Sequence, residues 1–588
     1  MKHLKLVFAI LLISTAAIAQ NKSGKSQIIA IKKLGTVAPT TIKSDFKPKL
    51  SNLEMPSPGS YKHHLNKVKK QSAKRFSRTV GIQSWEENGA INPTILNGFS
   101  VANKTVIPGT NDTIISYIAG GRPNDNTLAI SNDGLLMSAF NSSFFAYDTE
   151  ADTALFNVLS LHAFSTEFTL NDKFDPKLLY DPIEDRFILM FLNGRLSTEN
   201  QIIVGFSSTN NPADDWNLYE IPGNPLNDTT WFDYPAIAIS ENELFLTGNQ
   251  LRDNEPWQTG FAQTVIWQID KATGYNGLDS LTSKLWSDIN YEGEFIRNLN
   301  PIQGGSYPTG PNTYLISNKN FAVLSDSIYL LEITGILSDP STELKITLGQ
   351  TNTPYGTPPN GRQNDVDSLA TNDARVLGGF IENGTIQFVS NTIYPENGLA
   401  GVYHGFISNL GEIPQFEGVI LADDSLDLGY PNIAYTGTHD CSQQSVIMVN
   451  HTSPERNPGY SAVQYNSDNT YSELISLKEG DGYIDRIQGY ERWGDYSGIQ
   501  RKYNEPGVVW GAGFYSRNNK SNYTWMSSVH ATNEIEKLQI TNTNAADISA
   551  YGANDGNFEI THIGGVGSID YQRSEEHTSE LQSPCNLV

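Results

Sequence analysis

Asp233-Tyr234-Pro235-Ala236-Ile237-Ala238-Ile239 is a turn that runs straight into a small apolar strand, and the phrase returns along the chain. The other copies read D-N-T-L-A-I from Asp125, D-P-K-L-L-Y from Asp175, S-Y-P-T-G from Ser306, D-A-R-V-L-G from Asp373, G-Y-P-N-I-A-Y from Gly429 and D-Y-S-G-I from Asp495. Intervals of about 50 to 75 residues are what four antiparallel strands and their loops consume, and radial repetition of such units is a β-propeller. The seven copies predict an all-β chain built on a seven-bladed propeller, or six or eight blades if the irregular fourth unit is misread.

Strand signals fill the intervals. The second unit offers L-L-Y-D, R-F-I-L-M-F-L, Q-I-I-V-G-F-S and W-N-L-Y-E-I, separated by turn-rich stretches such as Asp181-Pro182. The small apolar phrases after each motif are expected to form the innermost strand, which lines the central channel. The seventh unit shows three strands, and a strand upstream of Asp125, over residues 113–119, is expected to complete it and protect its edge.

The two ends of the chain have a different character. Residues 1–19 combine a basic start (Lys2, His3, Lys5), an apolar run and the small exit Ala17-Ile18-Ala19, the build of a secretory signal peptide. No later stretch approaches the roughly 20 apolar residues of a membrane-spanning helix. The expectation is an exported protein, secreted or held at the outer cell surface, with no transmembrane segment. At the other end, R-S-E-E-H-T-S-E-L-Q-S from Arg573 resembles translated sequencing adapter, so residues 573–588 read as an artefact. Cys441 is then the only native cysteine and no intrachain disulfide is expected.

Charge divides the chain further. The formal net charge is −24, yet residues 20–93 are strongly basic, with K-H-H-L-N-K-V-K-K-Q-S-A-K-R at their centre. They read as a flexible leader or pro-segment lying on a strongly acidic body over residues 94–536. Such a body repels nucleic acid, which is excluded as a partner.

Residues 537–572 form the third region. D-I-S-A-Y-G-A-N-D-G-N-F-E-I-T-H-I-G-G-V-G-S-I-D-Y-Q from Asp547 resembles the repeat of SprB-type gliding adhesins, through Gly552, Ala553, Asn554, Asp555, Gly556, Gly564, Gly565 and Gly567. The resemblance implies the start of an Ig-like β-sandwich repeat, cut short, and export by type IX secretion machinery through a C-terminal signal that is missing here. The cysteine usual before this turn is replaced by Ala550 and Tyr551, so a family disulfide is not implied. The propeller region resembles large exported bacterial propellers of uncharacterised activity, through F-D-P-K-L-L-Y-D-P-I-E-D-R-F from Phe174, D-Y-P-A-I-A-I-S from Asp233 and R-W-G-D-Y-S-G from Arg492. That resemblance implies the fold and hardly any reaction.

Several side chains are candidates for chemistry. If the strand starts face one end of the channel, Asp125, Asp175, Asp233, Asp373 and Asp495 form an acidic ring that would hold protons or a hard cation, calcium being the natural one. Turn capping by each Asp is the simpler reading. Asp423, Asp424 and Asp427 with Asp365 and Asp367 lack calcium-loop spacing, and His439, Cys441 and His451 fit no zinc pattern. Arg186, Arg375 and Arg492 near different blade starts would suit a carboxylate-bearing sugar if they converged, with Tyr234 or Tyr430 as a nucleophile in a sialidase-like propeller. Inter-blade ion pairs are the simpler use of those arginines. Trp493 is a candidate sugar-stacking ring, with blade core, the usual place of strand aromatics, as the alternative. The expected function is a binding or adhesion module whose ligand is an extracellular glycan or surface protein. A propeller glycoside hydrolase or lyase and a passive adhesin spacer are the alternatives.

Overall fold

The computed structural model describes residues 21–22, 24–43, 61–80, 95–96, 124–165, 173–364, 366–438, 442–485, 491–531, 539–546 and 557–563. Alternating and wholly apolar runs separated by turns produce antiparallel meanders in succession. The first is Thr127–Ile130, Leu135–Phe140, Ser143–Asp148 and Thr153–Ser160. The second is Lys173–Asp181, Arg186–Asn193, Gln201–Ser207 and Trp216–Pro222, close to the four strands its sequence announces. A third begins at Thr230–Ile239 and ends at Ser280–Ser287, and a fourth runs from Asn300–Pro301 to Leu344–Tyr355. The fifth opens with Val376–Glu382, the sixth with Asp427–Tyr435 and the seventh with Gly498–Arg501.

The first strands of these sheets touch one another in order, and Gly498–Arg501 returns to Thr127–Ile130, so they close a ring. That arrangement is a β-propeller. Closure is chemical as well as spatial. The Gln500 side-chain amide donates to the Ile130 carbonyl at 2.8 Å and accepts from the Ile130 N–H at 3.3 Å, imitating a strand neighbour across the seam. Between sheets the ring is filled with large apolar groups: Phe144, Phe164 and Trp216 between the first and second, Phe206, Phe232 and Trp267 between the second and third, all essentially sealed from water. Such interlocked burial holds the inner strands, and whatever they carry, in fixed relation.

The basic leader differs from its expected flexibility in two places. Lys25–Val37 is a strand wedged between the outer strands Trp216–Pro222 and Ser280–Ser287, so that the second and third sheets become one nine-stranded sheet. Its lysines sit at the two ends of an apolar run, Ile28 to Ile31, in which Ile29 and Ile31 alternate onto the core side, and Ile31 is fully buried. Tyr61–Val80 is a helix that presents Leu65, Val68, Lys69 and Ser72 to the body, at the i, i+3, i+4, i+7 spacing of one helical face. Among the described residues no helix is long and apolar enough to cross a membrane.

The seventh sheet has three strands among the described residues, and the proposed completing strand at 113–119 lies outside them. Gln539–Ala546 and Asn557–Ile563 pair antiparallel on either side of the G-A-N-D-G segment, whose own residues lie outside the described ones.

Candidate functional site

A recurring backbone device builds the site. In the second, third and sixth sheets the innermost strand is interrupted by a bulge, between Phe174 and Lys177, Asp233 and Ala236, and Gly429 and Asn432. Each bulge holds a left-handed residue followed by proline: Asp175-Pro176, Tyr234-Pro235 and Tyr430-Pro431, with φ of 50°, 56° and 52°. Proline lacks the N–H that a ladder would need, so a bulge is where a strand tolerates it. The left-handed turn costs on the order of 1 kcal/mol or more for a non-glycine residue and re-aims its side chain. Asp125 takes the same conformation, φ 50°, at the start of the first sheet.

The device gathers most of the expected acidic ring. Asp125, Asp175, Asp233 and Asp495 act on one another electrostatically, and Tyr234 Oη donates to the Asp495 carbonyl across 3.4 Å. Tyr234 belongs to the third sheet and Asp495 to the entrance of the seventh, which are not neighbours in the ring, so the contact crosses the central opening. Asn372 of the fifth sheet's entrance donates to Asp495 Oδ1 at 2.6 Å, and the Asp495 N–H donates to Asp125 Oδ1 at 3.1 Å.

Countercharge comes from the protein itself. Arg492 pairs with Asp495, and Lys177 Nζ sits 2.9 Å above the centre of the Tyr496 ring. Arg375 grips Asp373 with two hydrogen bonds, Nε at 2.7 Å and Nη2 at 2.9 Å, while its guanidinium lies 4.2 Å over the Tyr234 ring. The Asp495 and Arg492 side chains keep 17% and 19% of their surface open to water although protein surrounds them, so the axial cluster is deep but reachable. Burial, then the neighbouring Asp233 and Asp495 carboxylates, push the Asp175 carboxyl up to about 7. Asp233 is raised to about 6, mainly by burial, and Asp125 stands well above the usual carboxylate range from burial and from Asp495. Burial lowers the Lys177 ammonium to about 7 against the pull of the same aspartates. Among the described residues no group of three or more His, Cys, Asp or Glu side chains is placed to hold a metal ion.

Other sequence candidates fall elsewhere. Arg186 lies at the opposite end of its sheet, bonding the backbone carbonyls of Glu184 and Asp185, so it does not join Arg375 and Arg492. Arg195, which no sequence motif marks, acts on Asp175 and Asp233 instead, because the loop after the second strand returns to the entrances of the inner strands. Trp493 is sealed against Tyr430 and Phe514, and Tyr430 donates to the Ala370 carbonyl at 2.8 Å, so both belong to the wall. Asp373 is spent on Arg375. The loop acids are also dispersed: Asp427 pairs with Arg362 at 2.6 Å and Asp423 caps the turn at Ser425 and Leu426. Asp365, His439 and Cys441 lie outside the described residues, and His451 is buried against Ser461 and Glu479.

The leader helix covers part of this mouth. Lys69 Nζ donates to Asn360 Oδ1 at 2.7 Å and Thr371 Oγ1 at 2.6 Å, and Ser72 Oγ to the Val323 carbonyl at 3.0 Å. Burial lowers Lys69 to about 7, offset by the attraction of Asp373.

No family model matches the chain, and no curated protein does. Among solved structures it is similar to the Trypanosoma rangeli sialidase in complex with sialic acid, at 8% identity and a TM-score of 0.31, covering 60% of this chain and 53% of that one. A protein of unknown function from Dyadobacter fermentans matches at 9% identity and a TM-score of 0.32, over 69% of this chain and 98% of its own. The phage phi92 endosialidase matches at 9% identity and a TM-score of 0.29, over 83% and 76%. The chain spans about half the length of the sialidase, and likenesses this distant assign neither substrate nor chemistry.

Proposed function

We propose that the ring is a seven-bladed propeller that serves as an exported, surface-displayed binding or adhesion module, with a glycan or protein ligand at one face. The observation that carries this reading is the axial cluster: carboxylates, guanidinium groups and phenols from several sheets meet in a water-reachable channel on a rigid frame. Mixed donors and acceptors fixed in advance are what sugar hydroxyls and peptide groups engage. The signal-like residues 1–19 and the adhesin-like segment 537–572 support export and display, with type IX machinery as the route.

A glycoside hydrolase or lyase is the second reading, favoured by one feature. Burial and repulsion among neighbouring carboxylates raise both Asp175 and Asp233 far above the usual carboxylate range, so this pair of buried carboxyls shares protons towards neutral pH, a condition that general acid–base chemistry requires. Incubation of the full chain with a polysaccharide and sialoglycan panel, with calcium and with chelator, separates the readings. Retained glycan without released sugar supports the binder. Release that Asp175→Asn abolishes establishes the enzyme, and neither result leaves a spacer.

A further inference from the structure

Where the inner strands end, the ring has a second mouth, and it holds a buried cation with nothing to bind. Arg501, the last residue of the seventh sheet's inner strand, is only 7% exposed. Its Nε and Nη1 are shut off from solvent with no acceptor in reach, and no carboxylate lies within ion-pair distance among the described residues. A guanidinium never loses its charge in proteins, so burial without a partner costs several kcal/mol and calls for an anion.

The surroundings form a built cradle. One side is Gly437, at φ +68°, where the guanidinium lies so close that any Cβ would collide with it. Tyr435 supplies a ring 5.3 Å from the guanidinium carbon. Tyr307 reaches over from the loop beyond the fourth sheet's inner strand and stacks on Tyr503, with centroids 6.2 Å apart and planes 25° apart. The fourth and seventh sheets are not neighbours, so this stack roofs the opening. Tyr307 nevertheless remains 55% exposed, so more than half of its surface is open to a ligand. Glu382 acts on Arg501 electrostatically, but its Oε2 is already taken by the Ser306 N–H at 2.7 Å.

We propose that Arg501 is the anchor of a binding site for the carboxylate of an acidic sugar, with Tyr307 as the stacking platform for the ring. A planar guanidinium presents paired N–H donors that match two carboxylate oxygens, and an exposed phenol ring beside it suits the apolar face of a pyranose. The site lies at the opposite mouth from the axial carboxylates. It rests on the proposed glycan-binding role only for the choice of a sugar as the carrier of the carboxylate.

Calorimetric titration of the full chain with galacturonate and glucuronate oligosaccharides, and with their neutral galactose and glucose counterparts, tests it. The acidic series is expected to bind and the neutral series not. Arg501→Gln, which removes a charge-assisted contact, and Tyr307→Ala, which removes the stacking ring, should each weaken binding roughly tenfold or more. Tyr307→Ala keeps the proposal falsifiable if Arg501→Gln does not fold, since its ring is mostly exposed. No binding of the acidic series, or binding that either folded variant retains in full, overturns the proposal. Competition by inorganic phosphate as effective as by the uronate monomers overturns the sugar assignment in favour of an adventitious ion only. A loss of uronate affinity with Asp175→Asn as large as with Arg501→Gln would put the bound sugar at the axial mouth and overturn the proposal.

Discussion

The guanidinium of Arg375 lies 4.2 Å above the ring of Tyr234, and the two residues come from the fifth and third sheets, whose inner strands both pack against the inner strand of the fourth between them. A charged group therefore bridges the central opening, bound to Asp373 on one side and resting on an aromatic face on the other. Both members of the ion pair are almost fully buried, so neither has water to fall back on.

Removing Arg375 should accordingly cost more than a surface charge would. Arg375→Met leaves Asp373 buried and unpaired, with an expected loss of about 3–5 kcal/mol in chemical denaturation. Arg375→Lys is expected to recover only part, because an ammonium cannot reproduce the two-point grip or the stacking. A loss below about 1 kcal/mol for Arg375→Met would show that the bridge does not hold the ring.

The axial carboxyls predict a pH response of unusual sign. Asp175 and Asp233 are raised to about 7 and 6 in the folded protein, above the 3.8 of a free Asp. Between those limits the native state binds more protons than the unfolded one, so their contribution to stability is present below about 4 and is lost as pH rises towards 7. Lys177, lowered to about 7, acts in the opposite sense above that pH, regaining stability as pH rises further. Urea midpoints measured from pH 4 to 7 should fall less steeply in Asp175→Asn than in the parent. Parallel profiles would remove Asp175 from the titrating cluster.

Lys69 anchors the leader helix through Asn360 and Thr371 within reach of Asp373. Lys69→Glu would bury a second carboxylate near the first, and the helix is expected to release, read as accelerated hydrogen exchange over residues 65–75. Lys69→Met keeps the apolar stem and should retain protection. Equal protection in both variants would mean that Leu65 and Val68 alone hold the helix.

How far the sequence announced this molecule can be followed residue by residue. Strand positions in the second and fifth sheets were legible because their apolar runs are long and their turns punctuated. The repeat intervals point to Asp125, Asp175, Asp233 and Asp495 because each lies just before an inner strand or at a bulge near its start, whereas Asp373, counted with them by the same spacing, is tied to Arg375. Register within the motif was not: Asp233 aligns with Asp175 by residue type, but the structure matches Asp175 to Tyr234, since proline and the left-handed bulge define the position. The fourth copy shows the same limit. S-Y-P-T-G from Ser306 reads as a strand start, yet the inner strand begins at Asn300 and Tyr307 lies at the opposite mouth. Arg195 and Arg501 carry no motif at all, because their meaning comes from what faces them across the ring.

The inserted strand Lys25–Val37 leads to the last prediction. It covers the backbone of Trp216–Pro222 on one side and Ser280–Ser287 on the other, so that neither sheet ends in an open edge there. Deleting residues 24–43 uncovers both edges and exposes the pocket that Ile31 fills. Unpaired edges recruit other chains, and light scattering after size exclusion is expected to show dimers or larger species together with a lowered Tm. The neighbouring strands carry Lys284 and Glu220, charges that discourage pairing, so association should strengthen when both are replaced by Thr. A deletion variant that stays monomeric with an unchanged Tm would show that the strand is an accessory to the ring and not a part of its frame.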